Sequence, residues 1–253
     1  MCFDSDSTPP IPPISGAAVT HRDLVLDAAD GNRFAAFAAL PGETGGAGVV
    51  VLPDVRGLYR FYEELALRFA EIGHAAVAMD YFGRTAGTEK RGDDFEYVPH
   101  VEQTTQAGVQ SDVAASAAYL RSPEGGSCAA VFTVGFCFGG RNAWLAAADE
   151  HELAGAVGFY GRLGAGRPDA PGPIQRAGEI QAPILALMGG DDPGIPLEEV
   201  TAFDEALDAA GVEHEVVVYP GAPHSFFDRK YDEFAAASED AWNRVLGFIA
   251  RYA

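Results

Sequence analysis

The feature that most constrains this chain is the stretch Val131-Phe132-Thr133-Val134-Gly135-Phe136-Cys137-Phe138-Gly139-Gly140. Largely β-branched, strand-forming sequence runs into Gly135, and Cys137 follows two residues on. Two more glycines then lead into residues 141–148, which read as a helix. A nucleophile carried on a sharp strand-to-helix turn has this layout. The positions two before and two after it lack side chains, so that strand and helix can approach. Cys137 stands at the nucleophile position, where a helix N-terminus favours the thiolate. A buried cysteine in a glycine-rich turn would look the same, so the rest of the chain must choose between the two.

The remainder reads as a series of alternating elements. Residues 1–16 hold Pro9, Pro10, Pro12 and Pro13 and predict an extended arm, with Ile11 and Ile14 as its anchors. Strand-like runs between residues 23 and 41 flank Asp30-Gly31, a hairpin turn signal. Apolar runs at 48–52, 74–79, 128–134, 154–160, 183–188 and 213–219 predict further strands, the first short and continuous enough to be buried on both faces. Helical spacing appears over 61–72, 101–120, 196–210 and 231–252, with a polar surface excursion over 85–99. Strands alternating with helices predict an α/β protein with a mostly parallel, doubly wound sheet and helices on both faces. No linker or repeat divides residues 1–253, so one domain is expected. Sites in such sheets form beyond the carboxyl ends of strands, where the loops holding Asp54, Arg84, Cys137, Asp192 and His224 fall.

Charge and cysteine usage exclude several classes. Seventeen basic against 37 acidic residues leave a formal charge of −20. That field repels phosphate backbones and anionic membranes, so no nucleic-acid partner is expected, and an anionic substrate would need arginine concentrated locally. Cys2, Cys128 and Cys137 form neither a disulfide framework nor a C-x-x-C pair. The acidic, proline-rich N-terminus does not read as a signal peptide, and no apolar run approaches the roughly 20 residues that span a bilayer. A cytoplasmic protein without a membrane partner is expected.

A thiol nucleophile needs a base and a group to orient it. His74 and His214 belong to strand segments, while His21 and His151 lie near element ends. His100, on the polar excursion, could touch substrate. His224 lies in the loop after the last strand run, where a base is needed. The loop after the preceding strand offers two acids, in Gly189-Gly190-Asp191-Asp192-Pro193-Gly194-Ile195-Pro196. No histidine beside this carboxylate pair supports metal-ligand spacing, so no metal is expected. Nucleophile, acid and histidine then follow in the chain order of the α/β-hydrolases, as Cys137, Asp192 and His224.

These stretches, together with Gly221-Ala222-Pro223-His224-Ser225-Phe226 and Asp80-Tyr81-Phe82-Gly83-Arg84, resemble the dienelactone hydrolase (carboxymethylenebutenolidase) family from about residue 49 onward. The resemblance implies a compact α/β-hydrolase fold without a cofactor. It places the acid four residues before a proline, which selects Asp192 over Asp191. It also implies that Asp54, where the family pattern carries a glutamate, holds the resting thiol. The amides of Val55 and Phe138 would form the oxyanion hole, which the elbow logic also supports. Arg84 would bind a substrate carboxylate. The second arginine of the pattern falls between Asp228 and Arg229 and has no clean match. The expected activity is hydrolysis of a small ester or lactone, carboxylate-bearing as the resemblance implies, through a cysteine thioester, in a monomer or small homo-oligomer. Two rivals are a broad carboxylesterase acting on neutral esters and a non-catalytic thiol sensor.

Overall fold

The computed structural model describes every residue except 1–2, 44–45, 93 and 167–169. Strands β1 (Val19–Asp27) and β2 (Arg33–Pro41) form the expected hairpin around Asp30-Gly31. They lead into β3 (Gly48–Leu52), α1 (Arg60–Glu71), β4 (Ala75–Met79), the single turns α2 (Gly83–Ala86) and α3 (Val98–Val101), and α4 (Gln106–Arg121). β5 (Val131–Phe136), α5 (Phe138–Ala146), β6 (Gly155–Phe159), α6 (Pro173–Arg176), β7 (Ile184–Gly189), α7 (Leu197–Ala210), β8 (His214–Tyr219) and α8 (Ala235–Tyr252) complete the chain. All eight strands join one sheet in the order β1-β2-β4-β3-β5-β6-β7-β8. β1 and β2 are antiparallel to their neighbours and the rest are parallel. This is the α/β-hydrolase arrangement.

Central strands buried on both faces account for the continuous apolar runs. In β3, Val49 and Val51 face the cluster that holds Phe61, Leu65 and Phe69 of α1. Val50 and Leu52 face the opposite cluster, with Val109, Val113 and Leu120 of α4. Successive strand side chains point to opposite faces, so each central strand needs apolar residues at every position.

Three expectations shift. The long helix begins at Gln106, not residue 101, because Thr105 is extended and its hydroxyl accepts from the Gly108 amide, capping a new start. The strand feeding the elbow runs to Phe136, since Gly135 still pairs with Leu52. The arm is anchored by Phe3 instead of Ile14. Phe3 is buried and stacks on Phe61 at 4.1 Å, whereas Ile14 is 47% exposed and Ile11 only partly buried against the core. An aromatic ring buries more apolar surface than either isoleucine, so it takes the interior slot. Among the described residues, no helix is long and apolar enough to cross a membrane.

Candidate active site

Strand order reverses around β3. The chain passes from β3 to β4 on one side, then crosses through α4 to β5 on the other. The crevice beyond the carboxyl ends of β3 and β5 lies at this switch. Cys137 follows β5 as the cap residue of α5, at φ 55° and ψ −111°. Its amide donates to the Phe159 carbonyl at 3.0 Å. The glycines meet the predicted demand. A Cβ on Gly135 would sit 2.1 Å from the Gly139 carbonyl oxygen, and one on Gly139 would sit 2.0 Å from that of Leu52.

The acid and histidine loops are joined through their backbones. The Gly190 amide donates to the Tyr219 carbonyl at 2.8 Å, and the Asp191 amide to that of Ala222 at 3.0 Å. A Cβ on Gly189 would meet the Ala222 oxygen at 2.6 Å, so only glycine allows this approach. The result is a 2.6 Å contact between His224 Nδ1 and Asp192 Oδ2. The other Asp192 oxygen accepts from the Gly194 amide at 2.8 Å, and Asp192 is 7% exposed. Asp191 is exposed. With Nδ1–H donating to the carboxylate, Nε2 carries the lone pair of the neutral ring. The His224 ring also lies 4.9 Å from that of Tyr160, a buried residue at φ 37° just after β6.

Cys137, Asp192 and His224 share one cavity of about 610 Å³, lined also by Val55, Phe138, Tyr160 and Ile195. The loop after β3 forms one wall and is heavily tied. The Tyr81 hydroxyl donates to the Pro53 carbonyl at 2.8 Å, and the Asp54 amide donates to the Tyr62 hydroxyl at 2.9 Å. Burial, with the negative charge of Asp54 nearby, holds the Tyr81 phenol well above its ordinary pKa, so it stays a neutral donor. The Asp54 carboxylate is fully buried. It accepts from the Arg56 amide at 2.9 Å, from Arg56 Nη2 at 3.0 Å and from the Tyr59 hydroxyl at 3.0 Å. Burial works against the Arg56 charge, but Asp54 outweighs it and raises the guanidinium pKa.

Arg84 is absent from this cavity. Its guanidinium pairs with Asp112 of α4 at 2.6 and 3.0 Å and with Asp30 of the hairpin turn at 2.6 Å. β4 lies on the far side of β3 from β5, which puts its loop beside the hairpin. His100 stacks on Phe95 and likewise does not line the cavity, and Arg229 is exposed beside the arm. Cys128 is buried, and burial raises its thiol pKa. Cys2 lies outside the described residues. Sequence reasoning passed over Tyr160, Arg141 and Arg162. The signal available for each was its place just beyond β5 or β6.

Such a fold and site define a hydrolase of the α/β-hydrolase class. Comparison with known proteins narrows this further. The model of the dienelactone hydrolase family matches residues 34–253. The chain is 28% identical over 259 residues to the carboxymethylenebutenolidase of Rhodococcus opacus, covering 100% of this chain and 97% of that protein. It is 33% identical over 232 residues to an Escherichia coli K12 protein named "Putative carboxymethylenebutenolidase", covering 88% of this chain and 84% of that protein. A crystal structure titled "Putative Dienelactone Hydrolase" from Klebsiella pneumoniae superposes with a TM-score of 0.82 at 29% identity, covering 93% of this chain and all of that one. The chain belongs to the dienelactone hydrolase family, and it is an ester or lactone hydrolase.

Proposed function

We propose that the protein cleaves a small ester or lactone through a thioester on Cys137. The observation that carries this reading is the Asp192–His224 contact opening onto the cavity of Cys137. His224 Nε2 accepts the thiol proton, and the Cys137 sulfur adds to the substrate carbonyl carbon. The carbonyl oxygen takes the negative charge and is held by the Val55 and Phe138 amides. Phe138 opens α5, so its N–H has no carbonyl one turn back to bond. Collapse of the adduct breaks the C–O bond, and His224 returns the proton to the leaving oxygen. Water then attacks the thioester carbonyl and gives a proton to His224. The C–S bond then breaks, the acid leaves, and the departing sulfur takes the proton back from His224. Asp192 keeps His224 in the required tautomer throughout.

Asp54 is proposed to contribute through the oxyanion loop, where Arg56 and Tyr59 bind it, and it would hold the resting thiol only by exchanging one of them. Slower iodoacetamide labelling of Cys137 in wild type than in Asp54→Ala would support thiol holding. The largely apolar walls favour a second reading, a broad esterase for neutral acyl groups, whereas an oriented base is superfluous in a thiol sensor. Cys137→Ala should abolish hydrolysis of a 4-nitrophenyl ester, while Cys128→Ala should retain it. Mass spectrometry should detect an acyl adduct on Cys137 after rapid quenching. Full activity in Cys137→Ala would sink the mechanism.

A further inference from the structure

Two arginines line the cavity beside the nucleophile. Arg141 is one turn into α5, four residues after Cys137, and Arg162 follows β6 by three residues. Eleven of the sixteen described arginines and lysines are ion-paired with carboxylates, as an excess of 20 negative charges would suggest. Arg141 and Arg162 are not. Among the described residues, neither has a carboxylate within ion-pair distance. Arg141 instead donates to carbonyls of Arg162, Gly164, Ala170 and Pro171, which pins the loop after β6 over one side of the cavity. Arg162 is exposed at the same cavity.

The Arg141 guanidinium is held by carbonyls alone among the described residues. Burial, and then the charge of Arg162, push the Arg141 pKa down. Asp192 also lines the cavity, but His224 and the Gly194 amide occupy its oxygens. Glu199, in the first turn of α7, faces Gly164 without pairing with either guanidinium. Two neighbouring cations with no paired carboxylate among the described residues, on a largely apolar cavity in an acidic protein, favour a ligand anion there.

We propose that an anionic group of the substrate is received on this side of the cavity, with Arg162 as the contacting residue and Arg141 as a positioning residue that holds the loop. The proposal rests on Cys137 hydrolysis and adds the specificity-determining pair. The site is separate from Arg84, which is committed to Asp112 and Asp30. It also supplies the local arginine that a chain of charge −20 needs to accept an anion.

The test compares 4-nitrophenyl butyrate with the 4-nitrophenyl hemiester of succinic acid, which differ in an acyl-terminal carboxylate. Wild type should prefer the hemiester in kcat/KM. Arg162→Gln should lower that value roughly tenfold to a hundredfold through KM, the range of a charge-assisted contact, and leave the butyrate within about twofold. Arg162→Glu should deepen the hemiester loss. Arg141→Lys keeps the charge but not the fork of donors, so it should loosen the loop and raise KM for both esters. Equal losses on both esters in Arg162→Gln, or no loss on either, would overturn the proposal. Loss of both esters in Cys137→Ala with no selectivity change in Arg162→Gln would reject the anion site alone. Retained turnover in Cys137→Ala would reject the hydrolytic reading beneath it.

Discussion

At Cys137 the left-handed backbone costs on the order of 1–3 kcal/mol and is maintained because everything around it is overdetermined. Gly139→Ala would drive a Cβ to 2.0 Å from the Leu52 oxygen and 2.4 Å from that of Pro53, both backbone atoms. We expect that variant to lose soluble, active protein, as measured by circular dichroism and turnover. Choosing between adjacent acids is also a residue-scale matter. Asp192→Asn should reduce kcat by about three to four orders of magnitude, since the wrong tautomer is then stabilised at His224. Asp191→Asn, altering an exposed side chain, should stay within about threefold by the same kinetics. The opposite ranking would show that the orienting carboxylate is Asp191.

At the scale of elements, Arg84 ties the hairpin turn and the start of α2 to α4. The Asp112 carboxylate is fully buried, and burial raises its pKa even though Arg84 and Asn32 oppose the shift. Arg84→Met should cost about 2–3 kcal/mol, below the full penalty of a broken buried pair because the guanidinium is partly exposed. That corresponds to a fall in Tm of roughly 4–12 °C. Removing the cation raises the Asp112 pKa further. A folded-state pKa raised above the unfolded value means the folded form binds more protons, so that group's contribution is retained below the unfolded pKa and lost as pH rises through the folded one. The deficit of Arg84→Met against wild type should therefore widen from acidic to neutral pH in urea denaturation. A pH-independent deficit would contradict this role. The strand and helix pattern was legible because buried parallel strands leave unbroken apolar runs. The position of Arg84 was not, since the loop containing it says nothing of whether its strand lies toward β5 or toward the hairpin.

Across the whole molecule, the N-terminal arm reaches the histidine side of the site. Phe3 packs against Phe61, Tyr62, Phe136 and Tyr160, the last of which contacts His224. The Arg229 amide donates to the Thr8 carbonyl at 3.0 Å, and the Thr8 amide to Asp228. Phe3→Ala should cost about 3 kcal/mol by leaving a cavity in this aromatic cluster, read as a lower urea midpoint. Replacing Asp4 and Asp6 with asparagine breaks only exposed pairs with Lys230 and should leave the midpoint nearly unchanged. If the two changes were equally harmful, surface charge would be holding the arm in place of the buried ring.

What the sequence determined by itself was local or ordinal: the elbow from glycine spacing, the strand–helix alternation from apolar periodicity, and the order in which the Cys137, Asp192 and His224 loops follow their strands. These depend on backbone sterics and burial over a few residues, which short stretches encode. Only the tertiary structure decided which loops meet. It joined the Asp192 and His224 loops through the Gly190 and Asp191 amides, carried Arg84 away to Asp112, and brought Arg141 and Arg162 to the cavity. Those outcomes follow from strand order and from the approach of backbones distant in sequence, which no single stretch of the chain specifies.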